Sequence, residues 1–577
     1  MSETIVLGID CGGTHTDAAL LAVEGTAARL LASAKTITDH ADLPGSILRV
    51  RAGLEKACDD RAKAALARIS RLTLGTTLCI NAILQGRADK VGLAISAGPG
   101  LDPVHFGLGE YVCIVPGGLD HRGVEVSRLF TNELALEAKK WAREGIAQIA
   151  CVGKFSPRNP VHEQEMARVA EEASGLPASM GHSLSGRLNF PRRVATAYYN
   201  AAVSNLHNAF LDSVENSAAF AGHTEKTRLL KADGGATSFG ETRKNPVQSI
   251  LSGPSASVMG ALAQWPDGGS GCCLLLDMGG TTTDIAIAVD GSPVLERQGM
   301  MLEGRRTLVR ALAQQSIAVG GDSLLRLENG ADGPNVLVGP QRIGSAMAFG
   351  GNEPTLLDAF NVLNAAQNPQ NCLGDVEASR RGLEKQAAGQ VGAGDLAEKA
   401  VESAMARIAR AAYDLVETVN ESPIYTLARL RAVKEARPDK ACLVGGPALA
   451  ARARLEKALD LPLSIPPRPE VANAIGAALS LPTASLEIYA DTGKGTLWVP
   501  ALGFRENIGR NFTIEDAKKR ALTLLAEYLE KNGAADASVE VVEADLFATL
   551  DDRGYGAKDI RVVAQARPGL CATVAFS

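Results

Sequence analysis

Twice in this chain an apolar run ends in an aspartate, passes through two glycines and a threonine, and resumes after a second aspartate. The first copy is Leu7-Gly-Ile-Asp10-Cys-Gly12-Gly13-Thr14-His15-Thr16-Asp17-Ala-Ala-Leu-Leu21. The second is Leu274-Leu-Leu-Asp277-Met-Gly279-Gly280-Thr281-Thr282-Thr283-Asp284-Ile-Ala-Ile-Ala288. Short apolar runs broken by a glycine pair read as two buried strands joined by a turn. The glycines let backbone N–H groups face an anion with no Cβ in the way, and the threonine hydroxyls add donors. Asp10 and Asp277, each at the end of a first strand, suit a hydrated Mg²⁺, because hard cations prefer carboxylate and water oxygens. Asp17 and Asp284 close their turns, either by accepting backbone N–H bonds or by acting in the chemistry. A functional turn repeated in register implies two similar half-molecules facing each other.

Neither copy is a common phosphate loop. No Gly-x-x-x-x-Gly-Lys-Ser/Thr is present, nor a Gly-x-Gly-x-x-Gly opening a helix. With 577 residues the chain has room for several domains and large cores. Its 46% hydrophobic and 21% charged residues fit a globular protein. Aromatics are only 4% and the net charge is −6, which argues against stacking on single-stranded nucleic acid and against an anionic membrane surface. No apolar run reaches membrane-spanning length, and Met1-Ser-Glu-Thr leads directly into the first strand, so a cytoplasmic location is expected. The ten cysteines are scattered with no Cys-x-x-Cys, which predicts buried, reduced thiols and neither a zinc site nor a redox pair. Cys11, inside the first turn, reads as a small packed side chain.

Strand and helix patterns alternate up to about residue 185, the signature of layered α/β architecture. A helix is expected over Gly45–Ser70 and another over Arg193–Phe220. Leu229-Leu-Lys-Ala-Asp-Gly-Gly235 reads as a strand and glycine turn. In Asn245-Pro-Val-Gln-Ser-Ile-Leu-Ser-Gly-Pro254, the Ser-Gly-Pro either presents a helix start to an anion or simply caps it. Gly320-Gly321-Asp322 is a further glycine turn, and Asn329-Gly330 is the expected tip of a surface hairpin. Val444-Gly445-Gly446-Pro447 follows a buried strand and leaves room for a flat nucleoside. Thr513-x-x-Asp516 resembles a capping box before a helix. The expected division is 1–185, 186–485 and a more charged α+β appendage, 486–577.

The two turns resemble the phosphate-binding hairpins of the actin, Hsp70 and sugar-kinase superfamily. Over about residues 4–485 the chain resembles the A-type branch of the hydantoinase/oxoprolinase family. The likeness rests on both Asp–Gly-Gly–Thr turns, Leu74-Gly-Thr-Thr-Leu-Cys-Ile-Asn-Ala-Ile-Leu84, Asn159-Pro-Val-His-Glu163, Asp233-Gly-Gly235 and Asn245–Pro254. It continues through Val319-Gly-Gly321, Gly350-Gly-Asn-Glu-Pro-Thr-Leu-Leu-Asp358 and Val444-Gly-Gly-Pro447, in order. It departs from relatives at His15, at the short glycine run 320–321 and across 339–350.

The resemblance implies an α/β fold of two actin/Hsp70-like (ribonuclease H-like) ATPase halves around a nucleotide cleft. ATP and Mg²⁺ are the implied cofactors. Gly12, Gly13, Thr14, Thr16, Gly279, Gly280, Thr281, Thr282 and Thr283 would cradle phosphates, with Gly320 and Gly321 beside them. Gly445 and Gly446 would border the nucleoside, and Asp10 and Asp277 would position Mg²⁺ and the attacking group. The implied activity is ATP-driven opening of a small cyclic amide such as 5-oxoproline or a hydantoin. The alternatives are an ATP-using carboxylase component of the acetone/acetophenone type and a non-enzymic ATP switch acting on a partner. The implied partner is a B-type hydantoinase chain, and a homo-oligomer stays open.

Overall fold

The structure, a computed structural model, describes residues 3–575 apart from 218–219, 221–223, 266–269, 331–332, 389, 422–434, 535–536, 551–553 and 555. The first repeat forms strands β1 (Thr4–Cys11) and β2 (His15–Glu24), followed by β3 (Ala27–Ile37). β4 (Arg71–Thr76) and β5 (Thr227–Leu230) lie on the other side of β1, so the sheet order is β5-β4-β1-β2-β3. Ala236–Ser238 extends one edge and Thr573–Val574 the other. The second repeat forms β6 (Cys272–Met278) and β7 (Thr283–Val289), with β8 (Lys440–Val444) parallel to β6. Each hairpin is antiparallel and each central strand has a parallel neighbour on its other side, so the two halves share one plan.

Period-2 alternation explains how each aspartate reaches the middle of the molecule. On β1, Ile5, Leu7 and Ile9 pack into a core with Ile47, Val50 and Leu54 of the Leu43–Ala57 helix. The opposite face carries Val6, Gly8 and then Asp10. On β6, Leu274 and Leu276 pack toward the long Ala393–Glu421 helix, while Cys273, Leu275 and then Asp277 face the other way. Two helices fill the space on the aspartate faces. α1 (Ser252–Ala263) packs Val258 and Leu262 on the second sheet, and α2 (Ala472–Leu479) packs Ala474, Ile475 and Ala478 on the first. The helices cross at Gly260 and Gly476. A Cβ at Gly260 would lie 1.9 Å from the Ala472 carbonyl oxygen, and one at Gly476 would lie 2.1 Å from that of Ala256.

A four-stranded sheet from 91–96, 111–114, 148–153 and 178–180 belongs to the N-terminal region. The expected helix over 45–70 is two helices, Leu43–Ala57 and Asp60–Leu66, because the Asp59 carboxylate accepts from the Ala62 N–H and starts a new helix. The helix expected over 193–220 runs Phe190–Glu215. The surface hairpin pairs Asn329 with Pro334 and Gly330 with Gly333, so Asn329-Gly330 lies in its strand and is not the tip.

The α+β appendage is a five-stranded sheet backed by the helix Ile514–Lys531, which the Thr513/Asp516 capping box starts. The chain then returns to the first half: Thr573–Val574 pairs with β3, and Leu481 N–H donates to the Gly569 carbonyl. The first sheet therefore draws strands from 227–238 and 573–574, beyond the division drawn at residue 185. All ten cysteines are free thiols. Among the described residues no helix is long and apolar enough to cross a membrane.

Candidate active site

Asp10 ends β1 opposite Asp17, and Asp277 ends β6 opposite Asp284. Side chains directly across an antiparallel pair share a face, so each half presents two carboxylates toward the interlayer. A small residue on the parallel neighbour makes room for each leading aspartate. A Cβ at Gly75 would lie 2.2 Å from Asp10 Oδ1, and one at Gly445 would lie 2.6 Å from Asp277 Oδ1. Gly445 also sits at φ +101°, a conformation that glycine alone adopts without strain.

Two residues outside the sequence motifs join the halves. Asn473, in the first turn of α2, donates from Nδ2 to Asp10 Oδ2 at 3.2 Å. Its Oδ1 lies 3.1 Å from Ser257 Oγ on α1, and that hydroxyl donates to Asp277 Oδ2. Asn473 also hydrogen-bonds Asp277, so its carboxamide, with the Ser257 hydroxyl beside it, links Asp10 to Asp277 through the interlayer helices. No local signal marks these residues: Asn473 is one polar position in a helix of small apolar residues, Ser257 is one of three serines in α1, and only the Gly260–Gly476 crossing brings them together.

The electrostatics are lopsided. Asp10 is 1% exposed and its Oδ1 has no hydrogen-bond partner. Burial, reinforced by Asp17 and Asp277, pushes its carboxyl up to about 7 against the pull of the Asn473 bond. Burial pushes Asp17 up to about 6 and raises Asp277, and it pushes Asp284 up to about 7 with Asp277 adding to the effect. The positive charge facing them is Lys35 on β3, whose Nζ lies 2.7 and 2.9 Å from the Asp17 oxygens and donates to the Glu470 carbonyl. Of the two roles open to Asp17 and Asp284, neither is settled by their partners, which are side chains: Lys35 holds the first, and the Ser316 hydroxyl bonds the second.

An enclosed, partnerless carboxylate oxygen among carboxylates in excess over cations fits a divalent cation. Asp10 and Asp277 are the residues that would hold it. No group of three or more His, Cys, Asp or Glu side chains converges on a metal position among the described residues. The remaining ligands would then be water and phosphate oxygens, the usual habit of Mg²⁺.

Among the described residues Asp284 has no such cation beside it. Its folded-state carboxyl is raised, so the stability its protonated form contributes is present below about pH 4 and is lost as the pH climbs through about 7. Asp284→Asn should raise the melting temperature at pH 8 and leave it nearly unchanged at pH 4. Equal shifts at both pH values in thermal melts would show that charge burial at this residue is not felt.

The turns themselves sort the expected phosphate ligands. Gly13 and Gly446 front open space, and Gly12, Gly279 and Gly280 hold the tight backbone of their turns. The Gly12 N–H donates to the His15 carbonyl and the Gly279 N–H to that of Thr282, one closing bond in each turn. Thr14 Oγ1 lies 3.7 Å from where a Gly280 Cβ would sit, so the two turn tips face one another. Thr14, Thr281 and Thr282 are partly exposed there.

The closing bonds leave Gly12 and Gly279 no free N–H, and four further expected ligands are placed differently. Thr16 is fully buried, its hydroxyl 2.9 Å from that of Thr38 and 3.3 Å from Cys11 Sγ. Its counterpart Thr283 is also buried and donates to the Val319 carbonyl at 2.6 Å. Both follow their turns by strand register and point into the core. Gly320 and Gly321 lie behind the second turn with their N–H groups already used. Gly321 N–H donates to the Gly279 carbonyl at 2.9 Å and Gly320 N–H to Ser323 Oγ at 2.9 Å. They brace the turn and have no donor left for a phosphate. Cys11 is a packed side chain whose thiol burial pushes up to about 12.

Comparison with known proteins follows the same geography. The model described as the hydantoinase/oxoprolinase N-terminal region matches residues 6–174, and that described as hydantoinase/oxoprolinase matches 193–485. The alpha chain of the caprolactamase of Pseudomonas jessenii is 24% identical over 501 residues, covering 82% of this chain and 69% of the relative. The gamma chain of the acetophenone carboxylase of Aromatoleum aromaticum is 23% identical over 402 residues, covering 62% and 53%. 5-Oxoprolinase 1 of Arabidopsis thaliana is 25% identical over 384 residues, covering 58% and 29%. The chain thus spans about half or less of the last two. Among solved structures, nucleotide-free acetone carboxylase superposes with a TM-score of 0.72 at 17% identity, covering 99% of this chain and 88% of that one. ATP-dependent caprolactamase from Pseudomonas jessenii gives 0.67 at 19% identity, covering 99% and 89%. At these identities the likeness shows a shared fold.

Proposed function

This chain belongs to the hydantoinase/oxoprolinase family, and from that premise we propose that it is an ATP-dependent hydrolase that opens a small cyclic amide by phosphoryl transfer from Mg-ATP. The observation that supports the reading is the pair Asp10 and Asp277, held by Asn473 and Ser257 beneath two facing glycine turns. Phosphates would lie against the turns, with Thr14 contributing from one side and Thr281 and Thr282 from the other. Gly446 leaves open space at the nucleoside side. Mg²⁺, held by Asp10 and Asp277, would supply charge neutralisation for the transferring group. Asn473 and Ser257 fix the two carboxylates relative to each other, which is where positioning enters the rate.

Transfer of the γ-phosphoryl to the amide oxygen would open the ring carbon to water; water adds, the C–N bond breaks with the nitrogen taking a proton, and hydrolysis releases phosphate, leaving the open amino acid, ADP and phosphate. The caprolactamase and acetophenone carboxylase relatives are both named as subunits, which supports a separate B-type chain as the partner of this one.

Purified protein, alone and with a B-type chain, should release ADP from Mg-ATP faster when lactams or hydantoins are added. Stimulation by ketone plus bicarbonate, with none by lactams, would replace this reading with that of a carboxylase component. Absence of calorimetric binding at millimolar Mg-ATP would remove the nucleotide altogether.

A further inference from the structure

A second feature lies at the carboxyl end of β5, on the sheet that carries Asp10. There a cavity of about 710 Å³ opens between the first half, residues 295–310 and the C-terminal α+β unit. That volume is typical of small-molecule sites. The sheet order β5-β4-β1 sets it two strands from Asp10, roughly 10 Å. Ligands of open α/β sheets collect at carboxyl strand ends.

The cavity's charges are balanced and spent. Its lining holds five basic and five acidic side chains. The deepest, Asp233, is 1% exposed and takes bonds from Arg310 Nε at 2.8 Å and Thr483 Oγ1, with Lys231 Nζ 3.5 Å away. Lys244 pairs with Glu241, Arg187 lies 3.6 Å from Glu543, and Arg561 holds Glu487. An ionic ligand would have to compete with these partners for the same groups.

What remains unspent is neutral. The side-chain amides of Asn245 and Gln248 and the hydroxyl of Thr237 line the cavity, and among the described residues none has a hydrogen-bond partner. Leu184, Leu308 and Val563 supply apolar wall beside them. Asn245 and Gln248 belong to the Asn245–Pro254 motif, whose Ser252 end is taken up by bonds to Thr76 while its first residues face this space.

We propose that this cavity recognises a small neutral cyclic amide, the acceptor substrate in the reading given above, through the carboxamides of Asn245 and Gln248. A lactam holds its N–H and C=O on one side of the ring. A side-chain carboxamide presents the complementary pair, so the two join by two parallel hydrogen bonds, while ring methylenes meet the apolar wall. An acyclic trans amide, whose N–H and C=O point in opposite directions, has no such match.

The inference rests on the hydrolase reading, and its test is run without nucleotide so that the two can fail separately. Saturation-transfer NMR with 2-pyrrolidone on the full chain should show saturable binding. Cyclopentanone, which keeps the ring and carbonyl but lacks the N–H, should bind at least about tenfold more weakly, the value of one lost hydrogen bond. Gln248→Leu should weaken 2-pyrrolidone by a similar factor with an unchanged melting temperature. If that variant does not fold, Gln248→Glu carries the same comparison. Equal binding of lactam and ketone, or lactam binding indifferent to residue 248, overturns the proposal, as does the lack of any saturable lactam signal. Loss of Mg-ATP binding with the lactam result intact would sink the hydrolase reading and leave the pocket standing.

Discussion

Asp10→Asn or Asp277→Asn should lower lactam-stimulated ADP release at least about a hundredfold, roughly 2.7 kcal/mol of transition-state stabilisation, in a protein that still folds. The structure sharpens this into two measurements that move in opposite directions. Asp10 Oδ1 is enclosed and partnerless, and its carboxyl is raised to about 7 chiefly by burial. A raised folded-state value means that the stability from the protonated form is present below about pH 4 and is lost as the pH rises through about 7. Asparagine resembles the protonated form, so at pH 8 the metal-free Asp10→Asn protein should melt at or above wild type while turnover collapses. Stabilisation by Mg-ATP should shrink in the variant, because the ionised carboxylate is what a cation would offset. If the aspartates only tie down their turns, stability and turnover should fall together. A stable variant with near-normal ADP release would remove the residue from metal positioning.

Much of this site was legible because two signals reinforced each other. A glycine turn alone is common, but the same turn repeated with aspartates in register fixed the strand ends, the facing halves and the place of Asp10 and Asp277. Residues that belong to strand interiors were harder. Thr16 and Thr283 read as extra donors next to the turns, yet the pleat turns each into the core, where Thr38 and Val319 bind them. Gly320 and Gly321 looked like phosphate donors because glycine permits that use, but here it permits close approach to the second turn. Lys35, Ser257 and Asn473 carried no readable mark. They act only once β3 lies beside β2 and α1 crosses α2, and the crossing is set by tertiary packing between helices far apart in the sequence. The C-terminal unit showed its capping box but not its return to β3, since two residues of edge strand have no periodicity to detect.

Gly476→Ala should be among the most damaging single-methyl changes in the molecule. The new Cβ would lie 2.1 Å from the Ala256 carbonyl oxygen and 2.4 Å from the Gly260 nitrogen, atoms of the α1 backbone that cannot rotate away. α2 cannot retreat either, because Gly8 on β1 is already in contact behind it: a Cβ there would stand 2.0 Å from the Ala474 carbonyl oxygen. The helix is clamped between a strand and a second helix, so relief requires the two sheets to separate. Such overpacking costs about 3 kcal/mol or more, and helix propensity, which favours alanine by about 1 kcal/mol, does not compensate. The second consequence is functional. Asn473 and Ser257 span the crossing, and a shift of about an ångström there breaks the hydrogen bonds of Asn473 to Asp10 and of Ser257 to Asp277. A Gly476→Ala protein that still folds should therefore bind Mg-ATP through its intact turns yet lose turnover about as severely as Asp10→Asn. Gly394→Ala, in a helix where the added Cβ meets nothing within 4 Å, is the control for propensity alone and should leave both properties unharmed. Should Gly476→Ala melt and turn over like wild type, the helix crossing would not be the element that holds the two halves of the site together.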